Sequence, residues 1–418
     1  MSNAWTGGQY SLFRAVFGLY LFANFAQLLP DSSELFSNAG MLADSTTSPF
    51  YPFFPNPLFI WDSPLVVHSM IALGILASLA FTIGLRDRGA ALLLWFVWAC
   101  LLTRNPLISN LGLPIIGWLL LAHAALPRRP FGSWDARGRP DPDSGWNMPN
   151  TIYIASWVVM AIGYSYSGAA KLVGPSWLDG SALANVLADP LAGPSLLRET
   201  LLSLPDAFLK FGTWSILGAE LLFAPLALIP GLRRWLWLAL LLIHLGLMTL
   251  TDFADFSAAM ALLHFFTFDP AWIAGRVDDG HSIVFYDGAC GLCHRTIRVL
   301  LAEDADGDRF RFAPLETEIF EATCAAPGSG FEDGTAIPDS VLVHLPGRAL
   351  LTRSEGVLEL GHQLGGLWRL LAWVLGLLPL WFLNAGYDLV ARTRRHFFSK
   401  PDDSCPLVPA HLRDRFHS

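Results

Sequence analysis

The stretch Ile283-Val-Phe-Tyr-Asp287-Gly-Ala-Cys290-Gly-Leu-Cys293 decides how the C-terminal part of this chain folds. An apolar run that reads as a strand ends at Asp-Gly. A Cys-x-x-Cys pair follows, and then Ile297, Leu300 and Leu301 at helical spacing. Strand, turn and a dithiol at a helix start make the layout of a thiol–disulfide redox site. The partial positive charge of a helix N-terminus favours a thiolate on the first cysteine, and the thiolate is the reactive species. Cys290 is therefore expected to attack and Cys293, one turn on, to resolve the mixed disulfide. Asp287 is a candidate proton carrier, or only a cap for the turn.

Working outward, the periodicity after His281 is that of a small α/β domain. Ser282 to Tyr286 reads as a strand and Cys293 to Glu303 as a helix. Arg309-Phe-Arg-Phe-Ala is a second strand, and Glu316 to Cys324 a helix candidate. Ser340-Val-Leu-Val-His-Leu is a third strand, with Arg348 to Leu351 as its hairpin partner across Pro346-Gly347, and Glu355 to Leu364 is a helix. This βαβ-then-hairpin order is that of a thioredoxin-like fold. Residues 281–405 resemble the DCC family (DUF393) of thiol–disulfide oxidoreductases. The matching residues are Tyr286, Asp287, Gly288, Cys290 and Cys293, then Asp339-Ser340, Ser354-Glu-Gly-Val, Gly365-Gly-Leu-Trp368 and Tyr387 to Arg395. Pro338, just before the third strand, is the candidate for a cis-proline facing the dithiol. Cys290-Gly-Leu-Cys293-His294 also fits the c-type haem attachment pattern, and zinc through Cys290, Cys293 and His294 would need a fourth ligand. Cys324 reads as a bystander and Cys405 as a free thiol of the tail.

Before this domain the chain is apolar. It is 53% hydrophobic and 15% charged, with a mean hydropathy of +0.44, which places it among membrane proteins. Its five cysteines are too few for a disulfide framework, and no basic tract points to nucleic acid. The first apolar run, Ser11 to Leu29, lacks a basic leader and a cleavage site, so no signal peptide is read. Eight apolar segments are read as spans: residues 11–29, 64–84, 89–103, 107–126, 151–170, 211–229, 232–250 and 256–274. Arg86 and Arg88, then Arg128, Arg129, Arg137 and Arg139, then Arg233 and Arg234 follow the even-numbered spans. The positive-inside rule then puts both termini and the dithiol in the cytoplasm; a bacterial inner membrane is the expected location. Arg14 in the first span is read as snorkelling to the interface.

The fifth span ends in Gly168-Ala-Ala-Lys171-Leu, followed by Trp177 and Gly180. From the residues alone, Lys171 either snorkels or is a buried functional amine. Residues 10–275 resemble the HTTM family, the membrane domain related to vitamin K-dependent γ-carboxylase. That resemblance implies a catalytic base at Lys171, a histidine site at His244 and a quinone (vitamin K-like) cofactor; Tyr164, Tyr166 and Trp177, near Lys171, are candidates to line a ligand pocket. An amine desolvated in an apolar site can serve as such a base. The blander readings are a core histidine at His244 and an interfacial aromatic belt.

The expected architecture is thus an α-helical polytopic membrane domain (1–278), an α/β thioredoxin-like domain with apolar C-terminal helices (279–400) and a tail (401–418). Leu367 to Val390 is read as two helices that pack on the dithiol domain or lie along the membrane face, with Arg392, Arg394 and Arg395 suited to anionic headgroups. The expected partners are the bilayer and a thiol or disulfide substrate or redox protein. The expected activity is thiol–disulfide exchange, coupled to a quinone or lipid-like ligand. A carboxylase- or epoxidase-like enzyme using Lys171, with the dithiol as reductant, is the alternative, and a redox-sensing scaffold or transporter is the third reading.

Overall fold

A computed structural model describes residues 3–51, 53–139, 141–142, 145–251, 254–276, 280–288, 290–304, 306–331, 340–397 and 410–417. Pro338, Asp339 and Cys405 lie outside them. The chain forms two compact units, and neither is one continuous segment. The first comprises Phe13–Arg128 and Pro149–Phe268; the second comprises Asn3–Leu12, Arg129–Met148 and the chain from Asp269 on.

The longer helices of the first unit are α1 (Gly7–Leu28, whose first turns belong to the second unit), α2 (Pro64–Ile83), α3 (Asp87–Arg104), α4 (Gly112–Ala125) and α5 (Asn150–Lys171). They continue with α6 (Asp206–Leu221), α7 (Phe223–Ala227), α8 (Pro230–Leu250) and α9 (Ala254–Thr267). Tyr10, Phe13, Phe17, Leu21 and Phe25 are fully buried along α1. Arg14 does not snorkel: it is 1% exposed and faces Asp87 at 3.7 Å, with His123 3.8 Å from the same carboxylate. An arginine sealed among apolar helices needs such a counter-charge.

In the second unit, β1 (Ser282–Tyr286) leads into α10 (Gly291–Glu303), followed by β2 (Phe310–Pro314), α11 (Glu318–Ala325), β3 (Leu342–His344) and β4 (Leu351–Thr352). The strands form one mixed sheet in the order β2-β1-β3-β4. β1 runs parallel to β2, with Ser282 opposite Phe310, and antiparallel to β3, with Val284 opposite Val343. The turn between β3 and β4 places Pro346 before Gly347 at φ 72°, a backbone that glycine adopts without strain. β4 begins at Leu351, so the hairpin partner lies at the end of the expected stretch, Val343 pairing with Leu351.

Alternation along the strands separates two cores. Val284, Tyr286, Phe310, Phe312 and Val343 pack with Ile297, Leu300 and Leu301 of α10 on one face. Phe285, Ala313 and Leu342 pack with Phe320 of α11 on the other. α12 (Arg353–Leu364), α13 (Gly366–Gly376) and α14 (Leu380–Phe397) complete the described helices of this unit, and a 3-10 turn at Ala410–Arg415 follows.

The expectation of eight spans is corrected. Among the described residues three helices, α1, α2 and α8, are long and apolar enough to cross a membrane, or four if α13 and α14, bent by 115°, are counted as one. The other segments fail for separate reasons. The 107–126 and 256–274 stretches form helices of 14 residues, α4 and α9. α3 carries Asp87, Arg88 and Arg104. The 211–229 stretch breaks at Leu222 into α6 and α7, where the ring of Pro225 opposes the carbonyl of Leu221. The polar side chains of α5 dilute its hydropathy. Leu367 to Val390 does form two helices, as read.

Candidate functional site

Cys290 is the N-cap of α10. Its backbone is extended (φ −100°, ψ 114°) and its sulfur accepts the Cys293 N–H at 3.4 Å. The thiol thus takes the place that a serine or aspartate oxygen often fills, on one of the unsatisfied N–H groups of a helix start. Those N–H groups and the helix dipole favour negative charge on that sulfur. The preceding turn is closed by Cys290 N–H donating to the Asp287 carbonyl at 3.1 Å. Asp287 thus shapes the turn through its backbone, and its side chain is half-buried.

No disulfide links the pair. Cys290 is 9% exposed and Cys293 2%, and both belong to the core between α10 and the sheet. Leu292, Leu351, Leu364 and Phe416 are the half-buried rim of that core. His294 turns its Nε2 to the Gly288 carbonyl at 2.8 Å and sets its ring edge-on to Tyr286. That nitrogen serves the turn, and among the described residues no group of three or more His, Cys, Asp or Glu side chains is placed to hold a metal ion. Cys324 packs on the opposite face of the sheet, and partial burial pushes its thiol up.

The Gly365-Gly-Leu-Trp368 motif has a structural use. Gly365 and Gly366 sit at φ 76° and 53°, and a Cβ on Gly366 would lie 2.3 Å from the Gln9 amide oxygen. That oxygen accepts the Leu367 N–H at 2.8 Å. Trp368 Nε1 donates at 2.5 Å to Glu303, the last residue of α10. The sequence reading missed Glu303. Its carboxylate also accepts from Thr6 Oγ1 at 2.5 Å and from the Gly8 N–H at 2.9 Å. Burial pushes this carboxyl up, against the pull of those donors. Next to it, Asp304 is sealed by Arg415, which donates to its Oδ2 at 2.5 Å and to its carbonyl at 2.9 Å. Burial raises the Asp304 carboxyl as well.

The second set of candidates lies in the first unit. Lys171 ends α5; its amine donates to Ser167 Oγ at 2.8 Å, ion-pairs with the carboxylate of Glu220 on α6, and lies 4.9 Å from the centre of the Trp177 ring. α5 and α6 approach closely there because residue 168 is glycine: a Cβ on it would meet the Leu221 nitrogen at 2.4 Å. Two turns back on α5, Tyr164 Oη is 2.6 Å from His264 Nε2, and the His244 ring stands 5.9 Å from that of Tyr164. His244 Nδ1 is 3.4 Å from Ser257 Oγ. Tyr166 is 75% exposed on another face, so the structure brings Lys171 and Trp177 together, Tyr164 and His244 together, and leaves Tyr166 out.

The amine therefore faces a carboxylate instead of a wholly apolar surround. Glu220 escaped the sequence reading although it is the one charged residue between Lys210 and Arg233, and an acid alone in an apolar stretch calls for a partner. A cavity of about 290 Å³ is lined by Val186, Leu191, Leu247, Phe256 and Ser257 among others, but not by Lys171, Tyr164 or Trp177. The residues implied by the carboxylase resemblance do not form one binding site with this cavity.

Residues 284–400 match the DCC1-like thiol-disulfide oxidoreductase family. That match contains the dithiol and both glycines of the Gly365 motif, and it supports a thiol–disulfide redox role for these residues. It does not reach residues 10–275, so the HTTM resemblance has no support from it. No curated protein and no solved structure matches the chain.

Proposed function

We propose that this chain is a membrane-bound thiol–disulfide oxidoreductase in which Cys290 attacks and Cys293 resolves. The observation that carries this is the Cys290 sulfur capping α10 inside the DCC1-like match. The Cys290 thiolate attacks one sulfur of a substrate disulfide. The substrate S–S bond breaks, one substrate sulfur leaves as thiolate, and a mixed disulfide forms. The Cys293 thiolate then attacks the Cys290 sulfur, releasing the second substrate thiol and closing a Cys290–Cys293 disulfide. Two electrons pass to the substrate, and the reverse sequence oxidises a dithiol. At 9% exposure, Cys290 admits a small disulfide at its rim more readily than a folded protein surface.

A quinone or other lipid-like molecule is the electron partner suited to a chain with helices long and apolar enough to cross a membrane. The carboxylase-like reading is weaker, because the cavity of the first unit is lined by none of Lys171, Tyr164 and Trp177. Reduction of a small aromatic disulfide by the purified full chain tests these readings together. Cys290→Ser should abolish turnover, Cys293→Ser should accumulate mixed disulfide, and Lys171→Ala should leave exchange intact. Turnover that survives Cys290→Ser sinks the proposal. Equal dependence on Lys171 and Cys290 favours the carboxylase-like alternative.

A further inference from the structure

α13 and α14 present apolar side chains to the outside of the second unit. Trp373, Val374, Leu377, Trp381, Phe382 and Leu389 are all exposed, Leu377 at the bend by 84%. The polar side of α14 is already used: Asn384 Oδ1 accepts from Ser354 Oγ at 2.5 Å, Tyr387 Oη accepts the Val341 N–H at 3.0 Å, and Asp388 pairs with Arg353 at 3.5 Å. Asn384, Tyr387 and Asp388 share one helix face, and Phe382 and Leu389 lie on the other.

We infer that α13 and α14 form a re-entrant pair that lies in the bilayer interface and holds the dithiol unit on the lipid surface, without crossing. Three observations carry this. First, both ends of the pair are fixed to the same unit. At the start, Leu367 and Trp368 bond to Gln9 and Glu303. Beyond the far end, Arg415 seals Asp304, Phe416 bridges to Phe312 on β2, and the His417 N–H donates to the Phe312 carbonyl at 2.8 Å. A chain that leaves and returns to one compact unit crosses a membrane an even number of times, and one bent pair cannot supply two crossings. Second, α13 has 11 residues, about 16 Å at 1.5 Å per residue, against a hydrocarbon core of about 30 Å. Third, the pair carries an interfacial set of residues: Trp373 and Trp381 on the exposed side, Arg369 in the first turn of α13, and Arg392 towards the end of α14. Aromatic rings at the headgroup level and arginines beside an apolar face suit an anionic lipid surface.

The test is lipid photocrosslinking of the full chain in nanodiscs of phosphatidylcholine and phosphatidylglycerol. p-Benzoylphenylalanine replaces Leu377, Leu389 or, as control, the exposed Glu321 of α11. Intact-mass analysis after illumination should show phospholipid adducts at 377 and 389 and none at 321. Adducts of twice the protein mass would assign this face to a second copy and overturn the inference. Equal or absent lipid adducts at all three positions would overturn it too. The readout uses no thiol chemistry, so it stands apart from the dithiol assay.

Discussion

Glu303 ends the dithiol helix and at the same time caps the first helix of the chain. A carboxylate is disfavoured at the C-terminus of α10 and favoured at the N-terminus of α1, where it accepts the Gly8 N–H. Glu303→Ala would orphan that donor together with Thr6 Oγ1 and Trp368 Nε1, at a cost of about 1–3 kcal/mol. The pH dependence follows from its raised carboxyl. The folded state holds this proton more tightly than the unfolded chain. Its contribution is therefore greatest in acid and falls as pH climbs from the ordinary glutamate range through the raised folded value. Glu303→Gln removes that slope while keeping one acceptor oxygen. Unfolding temperatures of both proteins across acidic to neutral pH measure it, and parallel curves would refute the assignment. Cys290 and Cys293 were legible in the sequence because their chemistry is local: spacing, turn and helix start lie within a few residues. Glu303 was not, because its partners Thr6 and Gly8 stand 297 and 295 residues away.

Elements of the second unit were legible for a related reason. Period-two alternation in Ser282 to Tyr286 and Phe310 to Pro314 separates the two sheet faces, and the structure uses that separation. The apolar helices of the first unit carry no such signal. A stretch uniformly apolar reads as a span whether it forms 22 residues of helix or 14, and only a local device such as Pro225 marks a break. Gly168 is another such device. With the Leu221 nitrogen 2.4 Å from any Cβ placed there, Gly168→Ala forces α5 and α6 apart and is expected to cost about 1–3 kcal/mol. Gly163, one turn and a half earlier on α5, has nothing within 4 Å of such a Cβ. Gly163→Ala should stabilise the helix by roughly 0.5–1 kcal/mol. Opposite shifts in the unfolding temperature of the detergent-solubilised variants check the pair, and equal shifts would show that α5 and α6 do not depend on close approach.

Over the whole molecule, hydrogen bonding within the second unit constrains how the chain could thread a membrane. Asn3–Leu12 bonds to Glu303 and Leu367; Asn3 Nδ2 also donates to the Met148 carbonyl at 3.1 Å, Ser11 Oγ to the Phe131 carbonyl at 2.5 Å, and Arg298 to the Arg139 carbonyl. Groups that hydrogen-bond lie on one side of a membrane or at one depth in it, so any crossings between residues 12 and 129 would be even in number, and likewise between 148 and 269. As crossings, α1 and α2 would satisfy the first interval. Among the described residues the second contains α8 alone of the three helices that qualify by length and hydropathy, so a crossing by α8 would require a second crossing element there. α5 has the length: 22 residues, about 33 Å. The polar groups that lower its hydropathy are turned to partners. Tyr153 Oη donates to the Thr267 carbonyl at 3.0 Å, Ser156 accepts from Trp118 at 3.2 Å, Tyr164 meets His264, and Lys171 meets Glu220. Satisfied polar groups inside a helical unit cost far less in a bilayer than their hydropathy values suggest. A biotin-acceptor tag inserted at Gly193, beyond α5, should therefore react with an impermeant probe on the side opposite to tags placed before Met1 and at Gly145. Equal accessibility of all three tags would remove α5 as the missing crossing.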